Sequence, residues 1–282
     1  MYPNKRGERI SILNSATGVG RTLAPILGGA VLTAGGTILI PANYNYDGLY
    51  LAVAVAGVTA FVLVFLLLTE RKDHPSPSTG RNIVGRNMFQ GWKEIARCRG
   101  TMLVGFIQAS QYYVYGAIEF FVVGYMVDVA KLDAFFAGIF LSVQVLTIIV
   151  ARPFLGRLSD RRGRRTPIIM GSAIGCLLSL AIPFTIQFPL LLLISVGYGF
   201  GFATVISSTS PLMSELAPQG LVGASMGLLS TLMDVGQTLG PFVSGAVLAI
   251  FNRQYVALFS SLSLVLLAST IVFWLSKTDR IR

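Results

Sequence analysis

The chain has 282 residues, of which 54% are hydrophobic and 12% charged, and its formal net charge is +10. Soluble domains carry about 25% charged residues, so a deficit this large excludes an ordinary water-soluble domain and points to the bilayer. The 22 Lys and Arg lie mostly in short segments between apolar runs, with no nucleic-acid-binding signature, which excludes a nucleic-acid partner.

One membrane-spanning helix needs about 20 apolar residues. Eight stretches qualify in chain order: Ile10–Ala34, Gly48–Thr69, Met102–Met126, Ala134–Leu155, Pro167–Phe184, Pro189–Ser210, Val222–Ile250 and Tyr255–Leu275. The expected fold class is all-α: a polytopic membrane helix bundle with eight transmembrane helices. A signal peptide is rejected at the start, because the first apolar run is long, is broken by Arg21 and Pro25, and recurs later in the chain.

Basic residues set the expected orientation. Lys5, Arg6 and Arg9 precede the first span. Seven more, from Arg71 to Arg99, lie between the second and third. Five arginines from Arg157 to Arg165 follow the fourth, and Lys277, Arg280 and Arg282 close the chain. The alternate loops hold only Lys131 and Arg253, so both termini are expected in the cytoplasm of a multi-pass cell-membrane protein. The segment 70–100 divides the chain. It begins as a Pro/Ser-rich linker and continues with Met88, Trp92 and Ile95 on one face of an amphipathic helix, which lies on the membrane surface or caps the bundle. The expected units are therefore 1–69, the linker 70–100, and 101–282.

The first and seventh spans carry an internal repeat. GRTLAPILGG, Gly20 to Gly29, aligns without a gap to GQTLGPFVSG, Gly236 to Gly245. Small residues three or four apart let helix backbones touch, and Pro25 and Pro241 are expected to bend their helices. Gly20, Pro25, Gly28, Gly29, Gly236, Gly240, Pro241 and Gly245 form this helix-bend element. Paired repeats of this kind are the construction of many transporters.

After the fourth span comes GRLSDRRGRR, Gly156 to Arg165, read as a very short connection in which Gly163 supplies the turn. This pattern resembles the G-x-x-x-D-R-x-G-R-R signature of the major facilitator superfamily. The repeated Gly/Pro element resembles that family's fifth-helix motif, which is associated with drug/proton antiporters. The seventh span carries it well through Gly227, Gly236, Gly240 and Pro241, whereas the first departs from it at Ser11 and Ala24. The resemblance covers essentially the whole chain. It implies family helices five to twelve: a complete six-helix C-terminal half and two helices of the N-terminal half, with the first four helices missing or supplied separately. It also implies gating roles for Gly156, Asp160, Arg161, Gly163, Arg164 and Arg165, with Asp160 approaching the first span near Gly7 and Arg164 reaching Glu215.

Ionisable residues inside spans are costly, about 2.5–3.5 kcal/mol each at a helix centre on insertion scales, so each needs a reason. Glu119 is the strongest functional candidate, because a buried carboxyl can carry a proton. Arg21 is read as its counter-charge or as the counter-charge of an anionic substrate. Asp234 is expected in a structural hydrogen bond, and Arg152 to snorkel to the interface. Gln108, Tyr112, Tyr115, Tyr198 and Phe202 complete the expected substrate and proton pathway. The implied function is secondary transport of a small solute by alternating access, with proton-coupled efflux the finer expectation. The alternative is a non-transporting membrane protein or a half-transporter completed by a partner. Cys98 and Cys176 are expected at different depths and unpaired. No Walker A sequence is present, and no enzyme activity, cofactor or metal is expected.

Overall fold

A computed structural model describes residues 20–32, 46–67, 95, 97–218 and 221–276. All regular secondary structure among them is helical. The long helices are α1 (Gly20–Leu32), α2 (Tyr46–Leu67), α3 (Arg99–Asp128), α4 (Ala134–Arg162), α5 (Arg165–Ala181), α6 (Phe188–Leu216), α7 (Val222–Ile250) and α8 (Tyr255–Leu275). A short 3-10 turn, Ile182–Phe184, follows α5. Each corresponds to one predicted span, and the last two coincide with the prediction to the residue.

Helices α4 to α8 are long and apolar enough to cross a membrane by length and composition. Helix α3 is equally long but is diluted by Gln108, Ser110, Gln111, four tyrosines and Glu119. The described parts of α1 and α2 contribute shorter apolar segments. The first half of the first predicted span, Gly7, Ser11 and nearly all of the 70–100 linker lie outside the described residues. Of the linker's expected apolar face, Ile95 is described. It is fully buried, and its carbonyl accepts a hydrogen bond from the Thr101 hydroxyl at 2.7 Å.

Helix α6 is the hub: 61% of its most apolar stretch is buried, against 17% for α7. Lipid tails are as apolar as leucine, so helices in a bilayer associate through close backbone approach and hydrogen bonds rather than hydrophobic expulsion. The contacts follow that rule. A Cβ on Gly199 would lie 2.8 Å from the Gln144 carbonyl oxygen, and one on Gly171 would lie 2.6 Å from that of Gly201, so α6 touches both α4 and α5 nearly backbone to backbone. Polar ties add direction: Ser195 donates to the Phe140 carbonyl at 2.7 Å, and Gln111 donates to the Ser172 hydroxyl at 2.8 Å. Cys98 and Cys176 are both free thiols.

The repeats use two different faces. In α7, Gly236 and Gly240 press on α3: Cβ atoms there would stand 2.3 Å from the Ala109 carbonyl oxygen and 2.1 Å from that of Tyr113. In α1 the face used is one position round. A Cβ on Gly138 of α4 would lie 2.4 Å from the Pro25 carbonyl oxygen, and one on Gly29 would lie 3.1 Å from the Ala134 carbonyl oxygen. The converse faces are open. Gly20 has nothing within 4 Å of its would-be Cβ, and Phe242, which aligns with Ile26, is 80% exposed.

The arginine-rich segment departs from its sequence reading. It is helix rather than loop as far as Arg162, two turns beyond the predicted end at Leu155. Nothing in GRLSDRR breaks a helix, and only Gly163, at φ +83° and ψ 159°, does so. That conformation is accessible essentially to glycine alone. Gly163→Ala should therefore cost at least about 1 kcal/mol, read as a lower midpoint in thermal unfolding of the detergent-solubilised chain. Gly156→Ala, with open space around it, should not.

Candidate functional site

Two polar assemblies stand out. The first lies at the arginine-rich end. The Arg164 Nε donates to Glu215 Oε1 at 3.1 Å, and its Nη1 reaches Asp160 Oδ1, so one guanidinium ties the end of α4 to the end of α6. Arg164 therefore meets the expected partner Glu215. Asp160 pairs with Arg164, while its expected partner region near Gly7 lies outside the described residues. Arg165 donates to the Trp274 and Ser276 carbonyls, covering the last acceptors of α8. That cap was not expected from the sequence, although an arginine opening one helix beside the end of another is a usual way to satisfy orphan carbonyls. A cavity of about 290 Å³ sits here, lined by Ser159, Asp160, Arg164, Arg165, Glu215 and Phe273 among others. Arg161 is exposed and takes no part in these ties. The Arg164–Glu215 pair is half exposed, so Glu215→Gln should change stability by no more than about 0–1 kcal/mol, with the difference shrinking at high salt in the same unfolding assay.

The second assembly lies between α1, α3, α4 and α7. Glu119 is exposed on α3, on the side away from the core. Arg21 of α1 is near enough to act on it electrostatically, and the Gln237 amide of α7 lies within reach of its carboxylate. Two turns earlier on α3, the Tyr112 hydroxyl feels Arg152, Arg21 and Asp234. Tyr115 feels Glu119, Arg21 and Arg152. Two acids and two bases from four helices thus share one region with two half-buried tyrosines.

An aromatic layer backs this region. Phe202 of α6 stacks on Tyr115 with centroids 4.7 Å apart and meets Tyr112 edge-on at 5.1 Å. Tyr198 stacks on Phe202 at 6.4 Å. The sequence reading placed all four on the solute path, whereas the structure leaves Tyr112 and Tyr115 half-buried and buries the other two. Tyr198 is 1% and Phe202 3% exposed, so they support the wall rather than form it. Gln108 is buried as well, and accepts a hydrogen bond from Thr209, tying α3 to α6 instead of facing the open region. Gln108 lies on the same stripe of α3 as Tyr112, Tyr115 and Glu119, but nearer the start of the helix, where Thr209 of α6 covers it.

Arg152 is exposed on α4 and near enough to Tyr112 to act on it electrostatically. One further reading is corrected. Asp234 is exposed on α7, and the expected structural hydrogen bond is absent among the described residues. Gln237 was overlooked altogether. The repeat could have found it, because Gln237 aligns with Arg21. Among the described residues no group of His, Cys, Asp or Glu could hold a metal ion.

The sequence profile of the Major Facilitator Superfamily matches residues 1–241 and, in a second overlapping match, 104–281. The chain belongs to this superfamily. Within it, the chain is 26% identical over 146 residues to the multi-drug resistance efflux pump PmrA of Streptococcus pneumoniae, covering 52% of this chain and 36% of that one. It is 31% identical over 123 residues to the multidrug resistance protein MdtG of Dickeya zeae, covering 43% and 29%. The chain thus spans about a third of the length of the curated relatives it matches. Its fold is similar to the crystal structure of a bacterial homolog of the human lysosomal transporter Spinster, in an inward-facing and unoccupied conformation. The TM-score is 0.71 at 15% identity, over 96% of this chain and 69% of that one.

Proposed function

We propose that this major facilitator chain carries the substrate-handling part of a secondary transporter that moves a small organic solute across a cell membrane by alternating access. The observation behind this reading is the convergence of Glu119, Arg21, Arg152 and Asp234 with Tyr112 and Tyr115 on one open side of the bundle. Charges at that depth are expensive unless they face a water-filled path or one another. Four helices supplying them at one level is the arrangement a solute path requires. Glu119 is the proton carrier in this scheme, Arg21 its counter-charge, and the two tyrosines offer apolar faces with hydrogen-bonding tips. The relatives named as multidrug efflux proteins support an outward direction.

Residues 1–69 and 101–282 form parts of the two halves, joined by the 70–100 linker, and the arginine-rich end faces the cytoplasm with both termini. Asp160, Arg161, Gly163, Arg164 and Arg165 brace that end while the halves rock. The open faces at Gly20 on α1 and Phe242 on α7 favour a second element of the reading: further helices, in the same polypeptide or a separate one, pack there to complete the path.

The test is ethidium movement in proteoliposomes under an imposed pH gradient, with the chain alone and with a polypeptide supplying the first four helices of a family transporter. Gradient-driven movement in either arm is the expected result. No movement in both arms, under any gradient, overturns the transport reading.

A further inference from the structure

Gly175 of α5 leaves a gap where α3, α5, α6 and α8 meet. A Cβ there would stand 3.4 Å from Leu266 Cδ1 and 3.9 Å from both Gln111 Oε1 and Tyr198 Cε2. Those are ordinary contact distances, so no backbone approach demands a glycine at this position. Gly171, one turn earlier, is the contrast, with the Gly201 carbonyl oxygen 2.6 Å from its would-be Cβ. Glycine inside a helix is less favourable than alanine, so Gly175 needs another reason. Two of its three neighbours are polar. Gln111 is buried and donates through Nε2 to the Ser172 hydroxyl at 2.8 Å, which leaves its carboxamide oxygen as an acceptor on the Gly175 side. Tyr198 Cε2 is the ring carbon beside the one that carries the hydroxyl. That hydroxyl is sealed from solvent and has no hydrogen-bond partner among the described residues.

We infer that the gap at Gly175 is a binding site for a single buried water molecule, which accepts the Tyr198 O–H and donates to Gln111 Oε1. The two ends are complementary. A phenol hydroxyl donates, a carboxamide oxygen only accepts, and water does both. A polar group closed off from solvent is costly unless it is paired, and buried waters are held by two to four such groups. The missing side chain at 175 supplies the room. The water completes a polar bridge from α6 through α3 to Ser172 of α5. It also anchors the aromatic layer from behind. Tyr198 stacks on Phe202, and Phe202 stacks on Tyr115, the half-buried ring that faces the charged region. Fixing the hydroxyl end of Tyr198 therefore fixes the back of that wall.

The test is thermal unfolding of the full chain in detergent by scanning calorimetry, a readout independent of Cys176, which adjoins Gly175. Tyr198→Phe should lower the midpoint by about 2–4 °C, the size of one lost buried hydrogen bond in a chain of this length. An orphaned hydroxyl gives the opposite sign, because removing it relieves a desolvation cost. Gly175→Ala should lower the midpoint by a similar amount, since its methyl group takes the place of the water. Packing alone gives a rise, because the methyl fits and alanine is the better helix former. Gly175→Ser should melt above Gly175→Ala, since a hydroxyl one bond beyond Cβ stands in for the water, whereas helix propensity ranks serine lower. Tyr198→Phe combined with Gly175→Ala should lose little more than either alone, because both remove the same molecule. Three results each overturn the inference: Tyr198→Phe or Gly175→Ala melting at or above the parent chain, Gly175→Ser melting below Gly175→Ala, or additive losses in the double variant.

Discussion

Gly240→Leu is expected to destabilise the bundle by about 3 kcal/mol or more, and Gly240→Ala by about 1–3 kcal/mol. The reason is the kind of atom in the way. A Cβ at 240 would meet the Tyr113 carbonyl oxygen at 2.1 Å and its carbonyl carbon at 2.9 Å. Both belong to the backbone of α3 and cannot rotate aside, so α3 and α7 must separate. Separation is costly in a bilayer because the dispersion contacts and close approach it removes are what hold the pair together. Gly105 makes a useful contrast. Its would-be Cβ is 2.5 Å from Leu232 Cδ1, the tip of a flexible side chain, so Gly105→Ala should be much milder. Gly245→Ala should be near neutral, with Phe121 Cζ 3.7 Å away. The measurement is thermal unfolding in detergent followed by a thiol-reactive dye, since buried Cys176 becomes reactive only as the bundle opens. Gly240→Ala melting with the parent chain, or below it by no more than Gly245→Ala, would contradict this account.

The same glycines show how far the sequence could be read. Hydropathy located the eight long helices among the described residues, because a span of apolar residues has no stable alternative to helix in lipid. The repeat was visible as well, yet its faces were not. GRTLAPILGG and GQTLGPFVSG are nearly the same word, and only the coordinates show that α7 uses Gly236 and Gly240 against α3 while α1 uses Pro25 and Gly29 against α4. A pattern of small residues marks where a backbone can approach, not which neighbour does. The end of α4 was missed for a local reason. Hydropathy stops at the first arginines, whereas the helix stops at the first residue that cannot be helical, Gly163.

The candidate site was legible in part on the same principle. Tyr112 and Tyr115 stood out by their nearness to Glu119 in the sequence, and Tyr198 and Phe202 by the family resemblance of their span, but that the four stack into one layer was not legible. Which of them face outward depends on helix rotation, and that is set by packing between α3 and α6. Gln108 illustrates this: its spacing from Tyr112 puts it one turn away, but the Thr209 hydroxyl draws it inward.

Glu119→Gln is expected to remove the dependence of ethidium movement on an imposed pH gradient, by about tenfold or more in initial rate, without lowering the thermal midpoint. The substitution is nearly isosteric, and Glu119 lies on an exposed side of α3, so no core packing is lost. The carboxamide can still meet Gln237, because each amide has a donor and an acceptor. What disappears is the site that gains and loses a proton and the negative charge that attracts Arg21. Glu119→Asp separates these two contributions. It keeps the charge and the proton but draws the carboxyl back by one methylene, away from Gln237, so gradient dependence should persist at a reduced rate. The reverse order, with Gln retaining the gradient response and Asp losing it, would mean that length rather than ionisation matters at this position. Glu119 would then be a spacer between α3 and α7, and the proton would have to travel by Asp234, the other acid that the structure places beside Tyr112.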